Sequence, residues 1–221
     1  MTKNAAFLSS RTAWAAIWRA KWPAGWRLTR CAKWPRGTKA FHRPDQKTVL
    51  GAHERIYQRA QGNAECAGMG TTLSMLCRGA GYIYIAHVGD SRIYRLRGGR
   101  MEQLTQDHSL VGELVRAGIL TAEEARTHPR RNIITRALGT EGDNTPDLLA
   151  ADLQPGDRFL LCTDGLTGMV RDDEIERTLL DSQTADEAAD RLIQMALDAG
   201  GSDNVTLILC TGEEGKPWKQ D

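Results

Sequence analysis

The chain has 221 residues, of which 41% are hydrophobic and 26% charged, a composition typical of one globular domain rather than a disordered or collagen-like chain. No stretch of 18 apolar residues occurs, so no transmembrane segment is expected. The net charge of +1 hides an uneven distribution, because residues 1–44 contain ten Lys or Arg and no Asp or Glu, together with five of the six Trp. We therefore divide the sequence into an atypical basic, Trp-rich segment (1–45), a globular domain (46–211) and a polar tail (212–221).

The globular domain shows helical and strand periodicities in turn. A helix is predicted over 46–61, where apolar residues recur at helical spacing: Val49, Ala52, Ile56 and Ala60. Strands are predicted next over 71–77, 82–88, 91–96 and 101–104. Short helices follow over 109–120 and 121–128, the second opened by a capping box of Thr121 and Glu124. The remaining predicted elements are strands over 147–153, 158–162 and 204–210 and helices over 172–181 and 185–200.

Two of the predicted strands, 158–162 and 204–210, are apolar on both faces. Strands of this kind are covered on both sides, which favours a layered sandwich of mostly antiparallel sheets and helices. The five cysteines are scattered and form no C-x-x-C pair, which indicates a reduced, cytoplasmic protein rather than a disulfide scaffold or a zinc site. Arg11 and Arg19 interrupt any apolar core long enough for a signal peptide.

Aspartates at strand ends are the candidates for chemistry, because the common nucleotide-loop, zinc-protease, nucleophile-elbow and Rossmann motifs are absent. No Cys is followed six residues later by Arg, which argues against a phosphatase with a cysteine nucleophile. Asp164 ends one apolar strand, with Gly165 behind it for a sharp turn, and Asp203 precedes the other strand. If these strands pair antiparallel, both carboxylates project from one rim, where their oxygens suit Mg²⁺ or Mn²⁺ better than zinc.

Each aspartate also has an ordinary structural interpretation. Asp-Gly after a strand and Asp-Asn before one are common turn pairs. Asp107 lies just before a predicted helix, where it could be the N-cap. Asp90 could form a simple bend between two strands, and His87 lies on a strand, where a packed ring is the ordinary interpretation.

The ordered set of motifs is more specific than any single residue. GMGTTL, VGDSRIYRL, LTQDHSLV, ITRALG, LCTDGLT and GSDNVTLIL follow one another over residues 68–209. The series resembles the metal-dependent protein phosphatase family (PPM type, protein phosphatase 2C-like serine/threonine phosphatases) in its compact bacterial form. The resemblance implies an α+β fold, a four-layer αββα sandwich of two antiparallel sheets flanked by helices, incomplete here at the N-terminus. It also implies a centre of two Mn²⁺ or Mg²⁺ ions, with a third, weaker ion beside them.

The resemblance assigns roles to residues by their place in the motifs. Asp164 and Asp203 would be ligands of the two-metal centre, and Asp107 the ligand of the third ion. Asp90 and Gly165 would be structural. The flap beside the active site would run from Ser109 to about Arg131 and begin with Leu110, Val111 and Gly112. The implied partners are phosphorylated Ser/Thr proteins and a cognate kinase, with no nucleic acid.

The N-terminal segment departs from the family pattern. The family carries an acidic residue and then Asp-Gly-Met-Gly-Gly-His, whose aspartate bridges the two metals, whereas residues 11–26 read RTAWAAIWRAKWPAGW. Trp has the single codon TGG. In a reading frame that starts one base earlier, the last base of the Trp14 codon and the first two bases of the Ala15 codon encode Gly. The same overlap of Trp22 and Pro23 encodes Ala. The remaining codons permit the whole missing motif from Arg11 onward. Our hypothesis is that residues from about 6 to about 45 are translated out of frame.

Two other interpretations of this segment remain open. Trp14, Trp18, Trp22 and Trp26 are four residues apart with Lys and Arg between them, as in an amphipathic helix on an anionic membrane or a segment that binds nucleic acid. Pro23 interrupts such a helix. We expect the segment not to pack as the family's strand, so that the sandwich lacks a central strand. The alternative function is then a non-catalytic pseudophosphatase that binds phosphoproteins.

Overall fold

Two antiparallel sheets and several helices make up the computed structural model, which describes residues 44–79 and 81–211 together with the backbone of Lys3–Ser9 and Trp14–Ala20. The strands of this part of the chain are β1 (Lys3–Ser9), β2 (Trp14–Ala20), β3 (Thr71–Arg78), β4 (Tyr82–Val88), β5 (Arg92–Arg97), β6 (Arg100–Gln103), β7 (Asp147–Asp152), β8 (Arg158–Cys162) and β9 (Leu207–Thr211). Its helices are α1 (Gln46–Gly62), α2 (Leu110–Arg116), α3 (Ala122–Thr127), α4 (Asp164–Thr167), α5 (Asp172–Asp181) and α6 (Ala185–Asp198). None of the helices described is long and apolar enough to cross a membrane.

The strand order is β1-β2-β3-β4-β7 in the first sheet and β6-β5-β8-β9 in the second. All neighbours pair antiparallel, and Cys162 at the end of β8 lies opposite Leu207 at the start of β9. This pairing confirms the arrangement expected for the two doubly apolar strands. The end of one strand and the start of the other therefore meet at one rim of the second sheet.

Alternating side chains separate the sandwich into layers, as the period of two in a strand requires. In β8, Phe159 and Leu161 pack against the first sheet, and Leu160 packs toward α5 and α6. In β3, Leu76 faces the second sheet, whereas Leu73 packs with Val49 of α1. The order helix, sheet, sheet, helix confirms the α+β sandwich.

Several predicted elements are confirmed with small changes of length. The helix over 46–61, the strands β3 to β8 and the helices α5 and α6 lie where the periodicity places them. The capping box is present, since Glu124 N–H donates to Thr121 Oγ1 and Thr121 N–H donates to Glu124 Oε2. The helix predicted over 109–120 ends at Arg116, because the chain turns at Gly118 with a φ of +70°. The last strand starts at Leu207 rather than at residue 204.

The N-terminal backbone differs from the expectation. Trp14–Ala20 is a strand that pairs antiparallel with both β1 and β3, so Ile17 lies opposite Ser74. The expectation that this segment does not form a strand is wrong for these residues, and the amphipathic helix is not formed over them. The other residues of 1–43 and the tail 212–221 lie outside the described residues, as do the side chains of β1 and β2.

Candidate active site

Asp164 and Asp203 lie at one rim because the ends of β8 and β9 are tied together beyond the sheet. Thr163 N–H donates to the Thr206 carbonyl (3.0 Å), and Thr206 N–H donates to Thr163 Oγ1 (3.1 Å). Asp164 is the first residue of the one-turn helix α4 and is not part of a simple bend. Both half-buried aspartates line the same cavity.

Gly165 serves a close approach of two backbones, not the special turn that its sequence context indicated. Its φ is not positive. A Cβ placed on it would lie 2.3 Å from the carbonyl oxygen of Asn204, the residue after Asp203. Only glycine therefore lets the segment of Asp164 lie against the segment of Asp203.

Gly165→Ala is therefore expected to lower the free energy of unfolding by about 1–3 kcal/mol, because the backbone of Asn204 must move to make room. Urea unfolding measures the change. Gly51→Ala in α1 is the matched control: a Cβ at Gly51 meets nothing within 4 Å, so this variant should be neutral or slightly stabilised. Equal stability of Gly165→Ala and wild type would contradict the close approach.

A cavity of about 280 Å³ opens at this rim. Its carboxylates are Asp90, Asp107, Asp164 and Asp203. Its cationic side chains are Arg92, Arg126 and Arg131. The predicted flap forms one wall through Ser109, Val111 and Arg131, while Leu110 and Gly112 are not part of the lining. Negative and positive groups therefore face one space, as a site for a cation and an anionic ligand requires.

The flap is joined to the rim by hydrogen bonds. Arg126 Nη1, in α3, donates to the carbonyl of Thr167 at the end of α4 (2.9 Å). Leu110 N–H donates to the Ile133 carbonyl (2.9 Å), which closes the base of the flap. Gly112 lies against the loop before α2, since a Cβ there would be 2.7 Å from the Asp107 carbonyl oxygen. Arg92, Arg126 and Asn132 were missed as site residues, because their charge and polarity carry no positional signal in the sequence.

Asp107 is bound by cationic and amide side chains. Its Oδ1 accepts from Arg92 Nε (2.9 Å) and Gln103 Nε2 (2.9 Å), and its Oδ2 accepts from Arg92 Nη2 (2.7 Å) and Nε (3.0 Å). The single Nε hydrogen is shared by both oxygens, so three N–H groups hold this carboxylate. Asp90 is buried at the bend between β4 and β5, where the sequence placed it, and also lines the cavity.

Two buried histidines hold the loop that carries Asp107. His87 Nε2 faces the Gln106 carbonyl (3.0 Å), which only accepts, so Nε2 carries a proton. His87 Nδ1 lies 2.9 Å from Ser74 Oγ, which also donates to the Ser91 carbonyl (3.1 Å). Gly89 N–H donates to His108 Nδ1 (3.1 Å), so His108 Nε2–H donates to Asp147 Oδ2 (3.0 Å). The His108 ring is therefore neutral with the proton on Nε2.

Burial, with a smaller effect of neighbouring His108, lowers the pKa of His87 from 6.5 to about 4, and burial also lowers the pKa of His108. The folded chain thus binds the His87 proton less tightly than the unfolded chain. The contribution of neutral His87 to the free energy of unfolding is therefore fully present above pH 6.5. It is lost as the pH falls from about 6.5 to about 4, a decrease of at most about 3 kcal/mol.

His87→Gln is accordingly expected to flatten the dependence of unfolding free energy on pH between about 4 and 6.5. Urea unfolding at a series of pH values measures the slope. His128→Gln, at a half-buried histidine in the flap, is the matched control and should keep the wild-type slope. A slope unchanged by His87→Gln would show that this ring is not buried in its neutral form.

Asp164 and Asp203 fit a hard divalent cation by the chemistry of their oxygen donors and their common cavity. Among the residues that the structure describes, no group of three His, Cys, Asp or Glu side chains is placed to hold a metal ion. A metal ion held by these two carboxylates would need further ligands, such as water, backbone oxygens or residues outside the described ranges.

Comparison with known proteins gives a consistent result. A family model described as protein phosphatase 2C matches residues 20–206. The serine/threonine phosphatase stp of Listeria innocua is 44% identical over 164 residues, which cover 74% of this chain and 65% of that protein. The structure of a bacterial serine phosphatase superposes with a TM-score of 0.80 at 33% identity, covering 97% of this chain and 92% of that chain. The catalytic domain of the phosphatase PstP, in complex with 2 manganese ions, gives a TM-score of 0.70 at 28% identity and covers 95% of each chain.

The two sheets packed between helix layers, with aspartates at one rim, form the αββα fold of these phosphatases. More particularly, the chain belongs to the protein phosphatase 2C family. It spans 65% of the length of the curated relative from Listeria innocua.

Proposed function

We propose that this chain carries the site of a metal-dependent protein serine/threonine phosphatase, which hydrolyses phosphomonoesters with a water molecule as nucleophile. The observation that supports it most strongly is the pair Asp164 and Asp203, brought to one cavity by the pairing of β8 with β9. The family resemblance gives both residues as metal ligands. Mn²⁺ or Mg²⁺, two ions and a third weaker one, are the proposed cofactors.

The residues of this chain supply charge and position. Asp164 and Asp203 would hold the cations, which supply Lewis acidity for the phosphoryl oxygens and lower the pKa of water. Arg131 is exposed on the flap side of the cavity and gives it a positive charge that attracts a phosphomonoester dianion. Arg126 keeps the flap against α4 through Thr167, so the cavity retains its wall.

A second candidate function, a non-catalytic pseudophosphatase that binds phosphoproteins, is favoured by the composition of the site. The described residues provide Asp164 and Asp203 but no third carboxylate between them. The family's bridging aspartate belongs to the motif that residues 11–26 lack. We therefore infer a catalytic rate several orders of magnitude below that of a complete site.

The proposed origin of this defect is the reading frame of residues from about 6 to about 45. The abrupt charge boundary near residue 44 and the five Trp before residue 35 support it. We expect the coding DNA to give Asp-Gly-Met-Gly-Gly-His when read one base earlier from codon 11. Sequencing codons 1–50 tests this, and a frame that cannot encode the motif would contradict it.

Substrates and location are proposed from the family. The proposed substrates are bacterial proteins phosphorylated on Ser or Thr, the proposed partner is a kinase that phosphorylates them, and the proposed location is the cytoplasm. The relative from Listeria innocua is named a serine/threonine phosphatase, which supports the substrate class.

Hydrolysis of p-nitrophenyl phosphate with Mn²⁺, with and without EDTA, tests the activity. We expect a slow rate that EDTA abolishes and that Asp164→Ala removes. A normal enzyme rate would contradict the predicted defect. A rate insensitive to both EDTA and Asp164→Ala would contradict the proposed site.

A further inference from the structure

β7 is the outer strand at one end of the first sheet, and within the described part of the chain it pairs with β4 alone. Its middle residues Leu148, Leu149 and Ala150 are exposed. Edge strands of native proteins are usually protected by Lys, Pro or a bulge within the strand. The run from Leu148 to Ala151 is apolar and keeps one register with β4, so this edge is open to a further strand.

The hydrogen-bond pattern shows which backbone groups of β7 point away from β4. Leu153 N–H donates to the carbonyl of Gly81, the residue opposite in the same register (3.0 Å). This pair and every second pair along an antiparallel ladder are hydrogen-bonded, and the residues between them turn outward. Leu148 and Ala150 therefore present two N–H donors and two carbonyl acceptors along the open edge.

A second copy of β7 fits this pattern in an antiparallel register. With Leu149 opposite Leu149 of the second copy, Leu148 lies opposite Ala150 in both halves of the pairing. The outward groups of the two copies then bond to each other about a twofold axis. Leu149 meets its own equivalent in a non-hydrogen-bonded pair, where side chains approach most closely.

The ends of the strand support the same register. Pro146, which has no N–H, would lie opposite Asp152 of the second copy, whose carbonyl already accepts from Arg97 Nη2 (3.0 Å). A shift toward either end brings Pro146 or Asp152 opposite an outward group in the middle of the strand and loses hydrogen bonds. Asp147 is paired with Arg136 (3.1 Å). Asp152 is paired with Arg97 (2.9 Å), so the acidic ends of two copies need not repel.

We propose that two copies of this chain associate through β7, with Leu149 at the twofold axis, and that their first sheets join into one continuous sheet. Each copy contributes one short strand, which is much less surface than a permanent dimer buries, so the dimer is weak and depends on concentration. The inference is independent of the proposed function, because it uses only the backbone and side chains of β7.

Sedimentation velocity of the full chain, from about 5 to about 500 µM, measures the association. Wild type is expected to change from monomer to dimer over this range. Leu149→Lys and Leu149→Glu each place two like charges at the twofold axis, so each variant alone should remain monomeric. An equimolar mixture of the two should dimerise again, because opposite charges then face each other. Leu197→Lys, at a 54% exposed leucine of α6, is the matched control and should dimerise as wild type does.

Ala150→Pro removes an outward N–H without removing a hydrogen bond to β4, and it should abolish the dimer. Ala150→Val keeps that N–H and should preserve the dimer. A wild-type chain that stays monomeric at the highest concentration overturns the proposal and leaves the edge to some other extended segment. A dimer that survives Leu149→Lys and Ala150→Pro, or a mixture of the Leu149 variants that stays monomeric, also overturns it. The mixture decides the matter even if Ala150→Pro fails to fold.

Discussion

Replacing residues from about 6 to 45 with the translation of the same DNA read one base earlier is expected to raise Mn²⁺-dependent hydrolysis of p-nitrophenyl phosphate by several orders of magnitude. The physical reason is the aspartate of Asp-Gly-Met-Gly-Gly-His, which the family resemblance gives as the bridge between the two metals. Asp164 and Asp203 already line one cavity in the chain as it stands. The missing carboxylate is the proposed defect.

The control for this experiment is the reframed chain with Asp164→Asn, which should lose the gain because the proposed metal ligand Asp164 loses its charge. Asp181→Asn, at the far end of α5, is the matched substitution and should keep it. A reframed chain that folds and remains as slow as the present chain would place the defect elsewhere in the site.

Phe159→Ala is expected to lower the free energy of unfolding by about 3–5 kcal/mol. Phe159 is 1% exposed and packs between the two sheets with Ile83, Ile85 and Ile208. Its removal leaves a cavity that neighbours on two sheets cannot fill without breaking their pairing. Urea or thermal unfolding followed by circular dichroism measures the loss.

Ile119→Ala is the matched control, since Ile119 is 66% exposed on the flap. Substitutions at such positions usually change stability by less than about 0.5 kcal/mol. Equal effects of Phe159→Ala and Ile119→Ala would contradict the packing of β8 between two apolar layers. A large loss only at Phe159 supports it.

Most of the fold could be predicted from the sequence because its elements carry strong local signals. The doubly apolar strands β8 and β9 indicated burial on both faces, and the structure pairs them as expected. The early end of α2 and the late start of β9 depend on a glycine turn and on loop contacts, which periodicity does not report. The strands of the N-terminal segment were missed because a basic, Trp-rich composition hides any alternation.

The site was predicted only in outline. Asp164 and Asp203 were found because they sit at the ends of recognisable strands. The pair of Arg92 with Asp107 joins residues fifteen positions apart on different elements, so nothing local in the sequence indicated it. The reason for Gly165 was likewise hidden, since the close carbonyl of Asn204 is a tertiary contact.

Asp164 and Asp203 together are proposed to hold a divalent cation at the rim of the second sheet. The most direct test is a crystal structure of the chain grown with MnCl₂, examined by anomalous scattering at the manganese edge. We expect an anomalous peak in the cavity, about 2.0–2.6 Å from a carboxylate oxygen of each aspartate, that disappears in Asp164→Asn. Well-ordered aspartates with no peak between them, or a peak that survives Asp164→Asn, would contradict it.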